Sequence, residues 1–286
     1  MTRASSVRLL AALALLLSVV GCRQSASQPD ALRPRLVTFS PALTRIVFDM
    51  GLGDHVVGVA TYSRLPQGVT RPVVGGTLNV RVEPILAVKP DILLLQMDPT
   101  AFEPLRRVAP DLRIEHFTIE NLQDVAAAME RIGVIVGKPD LGLERKRAFL
   151  DKLDAIRKRT ASLDPVPTLF VLGYQSPSAP GAGTFIDEMI TLAGGRNILA
   201  NEFKGWRKPS LESIVKLAPR VIVCQCKPED RAEADAYWKA LDLGTPHRVI
   251  TVTDDDWTLP AGHLADYSAD LLNFIHPELK PSESAK

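Results

Sequence analysis

The stretch Asp140–Leu163, DLGLERKRAFLDKLDAIRKRTASL, contains no proline and is rich in Lys, Arg, Glu and Asp. Leu143, Leu150, Leu153, Ile156 and Leu163 recur along one narrow stripe, the pattern of a helix with a single apolar edge. At 1.5 Å per residue such a helix is a rod of roughly 36 Å, lying mostly in solvent. Gly137-Lys138-Pro139 precedes it, and Pro165 and Pro167 stop it. The spacing predicts a bridging helix over 139–164, with an N-terminal lobe over 36–138 and a C-terminal lobe over 165–280.

Short unbroken apolar runs lie on both sides of this rod. Upstream are Leu36–Phe39, Val56–Val59, Ile92–Leu95 and Arg113–Phe117; downstream are Thr168–Leu172, Val221–Cys224 and Val249–Val252. Such runs suit strands buried on both faces, as in parallel sheets covered by helices, so the predicted class is α/β. One of the covering helices is well specified: Asn121 caps it with Asp124 three residues on, and Leu122, Val125, Met129, Ile132 and Val136 form its apolar face.

The two halves share a motif. Glu83–Leu93, EPILAVKPDIL, matches Glu212–Ile222, ESIVKLAPRVI, with Glu, Ile, an aliphatic residue, Pro and a following strand at the same offsets. Each copy reads as a short helix stopped before a proline and followed at once by a buried strand. The repeat places Glu83 and Glu212 at equivalent positions. Taken alone, each is a favourable charge near a helix N-terminus.

Arg3 and Arg8, the apolar run Leu9–Leu17 and the junction Val19-Val20-Gly21-Cys22 read as a secretory leader, residues 1–22, whose ending resembles a bacterial lipobox. That resemblance implies lipid attachment at Cys22 and an extracytoplasmic, membrane-anchored protein. Residues 23–35, RQSASQPDALRPR, are polar and without apolar period, as expected of a flexible tether. The formal net charge of +1, with both signs interleaved, gives no field that would recruit nucleic acid.

From Val37-Thr-Phe-Ser-Pro41 through Gly75-Gly-Thr-Leu-Asn79, Lys89-Pro90-Asp91, Ala193-Gly-Gly195-Arg-Asn197 and Ser210-Leu-Glu212, the chain resembles the binding proteins for cobalamin, haem and ferric siderophores that serve ABC importers. The resemblance implies two Rossmann-like lobes joined by one long backbone helix, a monomer that is not an enzyme, and no cofactor. It also implies a ligand held between the lobes and delivered to an ABC permease. Within the group the cobalamin binders look most similar, so the expected ligand is a corrinoid, with haem, a ferric siderophore or another metal chelate as alternatives. Tyr62, Tyr174, Trp206, Asp256 and Trp257 fall where those proteins place ligand contacts, and rigid aromatic faces suit a broad apolar disc fringed with amides. By the same resemblance Glu83 and Glu212 dock the permease. The sequence departs from the pattern at Arg64 and Leu65, where an acidic residue and an aromatic are usual, and at Thr77, where a tryptophan is frequent.

Two competing classes are weaker. Capture of a bare metal ion needs converging His or carboxylate ligands, and His55, His116, His247, His263 and His276 show no short ligand spacing. A metal-inserting chelatase would share two α/β lobes, yet no nucleophile elbow, phosphate loop or zinc-protease motif occurs. His263, seven residues after Asp256, is a loop histidine within reach of a cleft. Cys224 and Cys226 are read as pointing to opposite faces of a strand, hence as separate buried thiols, with a disulfide between them or a metal-binding pair as the alternatives.

Overall fold

The computed structural model describes residues 33–76 and 80–279; the leader with Cys22, most of the tether, and Thr77 lie outside the described residues. Lobe 1 is built on a parallel sheet of β1 (Leu36–Phe39), β2 (Val56–Ala60), β3 (Val73–Gly75), β4 (Ile92–Leu95) and β5 (Arg113–His116), in the order β3-β2-β1-β4-β5. Its helices are α1 (Pro41–Asp49), α2 (Val82–Ala87), α3 (Glu103–Val108) and α4 (Leu122–Ile135). After the bridging α5 (Pro139–Thr160), lobe 2 contains β6 (Val166–Leu172), β7 (Ala179–Pro180), α6 (Phe185–Leu192), β8 (Gly195–Asn197), β9 (Trp206–Arg207) and α7 (Leu211–Leu217). It ends with β10 (Val221–Gln225), α8 (Arg231–Lys239), β11 (Arg248–Val252) and α9 (Leu264–Ile275). The lobe 2 sheet is also parallel, in the order β11-β10-β6-β8, and β7 and β9 form a separate antiparallel ribbon.

The central apolar runs behave as doubly covered strands because their alternate residues feed different cores, whereas β5, at the sheet edge, has no fully buried residue. In β1, Leu36 joins a large inner cluster while Val37 and Phe39 join a smaller outer one; in β10, Val221 and Val223 point inward while Ile222 and Cys224 point outward. Only the inner cluster is shared. It unites Ile46 and Val47 of α1, Met129 and Ile132 of α4, Phe149, Leu153 and Ile156 of α5, Met189 of α6, and Leu264 and Leu271 of α9. The lobes are therefore held by a common apolar core as well as by the rod, and both belong to one compact unit beginning at Pro34.

Two sequence expectations are corrected. The rod ends at Thr160, and its buried line is Gly142, Phe149, Leu153, Ile156 and Thr160; Leu143, Leu150 and Leu163 are half-buried. Phe149, Leu153, Ile156 and Thr160 keep the four-three-four spacing of a helix face, whereas Leu150 lies about 100° round from Phe149. The cysteines are the second case. Cys224 and Cys226 pack in the same outer cluster, because residues two apart along a strand share a face.

Glycine sets how the rod meets lobe 1. Gly137, at φ +75°, closes α4, and the chain turns straight into α5. A Cβ at Gly133 would lie 2.6 Å from the Cα of Gly142, so the two backbones touch where these helices cross. Asn121 and Asp124 form the predicted capping box at the other end of α4.

The repeat is structural as well as textual. Ile85 and Ile214 are both fully buried, Lys89 and Ala218 take left-handed φ values of +47° and +44° immediately before their prolines, and β4 and β10 start at the same offset. In each copy a left-handed residue ends the helix and hands the chain to the strand.

Candidate functional site

In an open parallel sheet, a crevice opens at the carboxyl ends of strands whose connections run to opposite sides. In lobe 1 that point lies between β1 and β4, and in lobe 2 between β6 and β10. At the first, the Ser40 hydroxyl, while capping α1, donates to Gln96 Oε1. At the second, Gly173 N donates to Gln225 O at 2.8 Å, and Gln225 Nε2 donates to Asp255 Oδ1 at 2.8 Å.

Gln96 and Gln225 stand at the same offset from Glu83 and Glu212. Sequence reasoning missed both, although extending the repeat by three residues aligns LLQ with VCQ and exposes the match. Among the described residues, the side-chain bonds engage opposite ends of the two amides: the Gln96 carbonyl accepts from Ser40 and the Gln225 N–H donates to Asp255.

The expected ligand contacts separate into three kinds of environment. Tyr62 and Trp206 are the aromatic members of the exposed large hydrophobic residues, at 89% and 38%. Tyr62 has φ +66° and occupies the third position of a turn closed by Ser63 N donating to Ala60 O at 3.2 Å, a position that favours glycine. A bulky residue held there costs on the order of 1–3 kcal/mol. Trp206 lies on the β7–β9 ribbon, paired with Pro180, and that ribbon folds back from the end of β6 through Leu172 and Ser178. Both aromatics therefore stand at the carboxyl edges of their lobes.

Tyr174 is half-buried against Tyr237, with ring centroids 5.7 Å apart, and its hydroxyl donates to Glu233 Oε2 at 2.8 Å. That carboxylate bond, followed by burial, raises the phenol pKa. Trp257, expected to wall the crevice, is instead 4% exposed: its ring stacks on Tyr267 at 4.5 Å and on Phe274 at 6.0 Å, inside the shared core. Asp256 serves the lobe contact, bonded to Arg45 at 2.5 Å and Arg64 at 3.2 Å. Burial works against the charge of Arg45, but its bonds to Asp49 and Asp256 prevail and its pKa is raised.

His263 Nε2 donates to the backbone carbonyl of Asp256 at 2.8 Å, and its Nδ1 is buried without a partner among the described residues. It borders a cavity of about 370 Å³ at the seam between the lobes and α5, lined also by Arg45, Met129, Arg145 and Phe149. Among the described residues, no group of three or more His, Cys, Asp and Glu side chains is gathered to hold a metal ion.

Glu83 and Glu212 are exposed at the starts of α2 and α7. Each helix precedes a strand of a parallel sheet and runs against it, so its first turn lies at the carboxyl edge, beside the crevice. Among the described residues no helix is long and apolar enough to cross a membrane.

The family described as periplasmic binding protein matches residues 36–240. A vitamin B12-binding protein of Yersinia pseudotuberculosis serotype O:1b (strain IP 31758) is 26% identical over 251 residues, which cover 86% of this chain and 85% of that protein. Among solved structures, the periplasmic vitamin B12 binding protein BtuF of Vibrio cholerae superposes with a TM-score of 0.73 at 23% identity, over 87% of this chain and 99% of its own. The periplasmic heme-binding protein HutB of the same organism gives 0.75 at 16% identity, over 85% and 99%. At these identities the structural likeness speaks for the fold.

Proposed function

We propose that this chain, which belongs to the periplasmic binding protein family, captures a corrinoid in the crevice between its lobes and delivers it to the permease of an ABC importer. The family is one of solute-binding proteins, not enzymes. The observation that carries the corrinoid reading is the paired arrangement of Gln96 and Gln225 at the two switch points, flanked by the exposed rings of Tyr62 and Trp206. A corrinoid is a broad apolar disc with an amide fringe: the rings cover its area, while the two glutamine amides match groups that both donate and accept. The similarity to a vitamin B12-binding protein supports the same ligand class. Tyr174, Asp256 and Trp257 act from behind this surface, holding the strands and the lobe contact in place.

Calorimetric titration with cyanocobalamin, cobinamide, haemin and a ferric siderophore tests the reading. The corrinoids are expected to bind and Trp206→Ala to weaken them by about tenfold or more, the scale of a buried aromatic contact. Binding of haemin alone would replace this reading with the haem alternative, which the likeness to HutB favours.

Glu83 and Glu212 are assigned to permease docking, where rim charges govern orientation and encounter. Their alanine variants are expected to keep ligand affinity and lose uptake in cells. Cys22 is assigned as the lipid attachment site; incorporation of labelled palmitate into the wild-type protein, and none into Cys22→Ser, is the expected result.

A further inference from the structure

The segment Thr61–Leu65 alternates in what it touches. Thr61 is fixed to lobe 1, its N donating to Gly75 O at 2.7 Å and its Oγ1 at 3.0 Å. Ser63 Oγ shares a hydrogen bond of 2.9 Å with Thr44 Oγ1, and Leu65 packs on the shared core. The two residues between these anchors turn the other way. Tyr62 is exposed, and Arg64 reaches lobe 2, where its guanidinium contacts Asp255, lies 3.2 Å from Asp256 and 3.8 Å from Asp254.

The receiving side is itself braced. Asp255 accepts from Gln225 at the lobe 2 switch point, Asp254 accepts from the Tyr267 hydroxyl, and Asp256, with only 14% of its side chain exposed, is gripped by Arg45. An isolated ion pair as exposed as Arg64 and Asp255, at 52% and 57%, holds little on its own. One planar guanidinium set against three carboxylates, with a second arginine on the least exposed of them, is a network with defined geometry.

We propose that Arg64 is a positioning residue: by clasping the Asp254–Asp256 turn across the crevice, it presets the spacing of the lobes in the unliganded protein and fixes the direction of the neighbouring Tyr62 ring. It acts on the ligand through Tyr62 and through the crevice width, without a contact of its own. The proposal rests on the crevice reading above for its effect on ligand, but its effect on lobe spacing stands without any ligand.

The spacing is read first. Spin labels at Val108→Cys in lobe 1 and Asp242→Cys in lobe 2, both exposed positions, report the interlobe distance, and the native thiols Cys224 and Cys226 are buried away from the reagent. Unliganded protein is expected to give one narrow distance distribution. Arg64→Ala broadens it, Arg64→Lys broadens it less, and the exchange Arg64→Asp with Asp255→Arg narrows it again. Equal widths in wild type and Arg64→Ala, or an exchange that restores nothing, would overturn the clasp.

Affinity for cyanocobalamin is read second. Arg64→Ala is expected to weaken binding about three- to fivefold, the range of a lost exposed ion pair, and to have a smaller effect, that of the crevice width alone, in a Tyr62→Ala background. Additive losses would overturn the positioning of Tyr62. Absence of any corrinoid binding, with the distance results as expected, would remove the functional reading and leave the clasp standing.

Discussion

Glu83–Gln96 and Glu212–Gln225 are the same device built twice, and they differ most on their outer faces. Both carry the exposed acid, the buried isoleucine, the left-handed residue before proline and the glutamine at the strand end. In lobe 2, Ser210 caps α7 by accepting from Ser213 N at 3.1 Å, and Leu211 and Val215 are exposed at 42% and 37%. In lobe 1, Arg81 gives α2 no side-chain cap, and Val82 and Leu86 pack against the outer core. What is held constant sets the strand end and the helix start beside it, and what varies is how each helix is covered.

If the copies are mechanically equivalent, truncating their buried isoleucines has the largest and most similar effect. Ile85→Ala and Ile214→Ala are each expected to cost about 2–5 kcal/mol in denaturant unfolding. A small loss in one copy alone would break the equivalence.

A second test uses a mismatch, Leu95 in β4 against Cys224 in β10. Burial pushes the Cys224 thiol from 9.0 up to about 12. Between those values the native state keeps a proton that the unfolded chain has released, so stability is full below pH 9 and falls as pH rises toward 12. The loss by pH 11 is on the order of 2 kcal/mol. Cys224→Ala, unfolded at pH 8 and at pH 11, is expected to lack that part of the alkaline slope; an unchanged slope would show that other groups carry it.

Smaller effects sharpen the contrast at the helix ends. Ser210→Ala is expected to cost about 1 kcal/mol, whereas Arg81→Ala stays within about 0.5 kcal/mol, because only the first removes a cap. Opposite in sign is the gain from relieving the left-handed residues: Lys89→Gly and Ala218→Gly are each expected to raise stability by about 0.5–1 kcal/mol in thermal unfolding. Destabilisation by glycine at either site would mean that the Lys89 or Ala218 side chain contributes more than its backbone costs.

The architecture was legible in the sequence because it rests on local patterns. Apolar runs announce doubly covered strands, Asn121 and Asp124 announce the start of α4, and Pro139 marks the start of the rod, which ends at Thr160 ahead of Pro165. Positions set by distant partners were not legible. Trp257 reads as a ligand-facing aromatic until Tyr267 and Phe274, from a helix further along the chain, close over its ring. Phe149 lies off the leucine stripe because it is fixed by the core it meets, and Cys224 and Cys226 share a face because alternation sends i and i+2 the same way. Gln96 and Gln225 are within reach of the sequence, three residues beyond the repeat of Glu83–Leu93 and Glu212–Ile222. The bonds from Arg64 to Asp254–Asp256 join residues some 190 apart, and no local pattern announces them.

The crystal structure of the protein grown with cyanocobalamin tests the central claim most directly. The account predicts a corrin ring between the lobes, in contact with Tyr62 and Trp206, its amide fringe bonded to Gln96 and Gln225. A corrinoid seated instead in the cavity beside Met129, Phe149 and His263, or an empty crevice at saturating ligand, would contradict it.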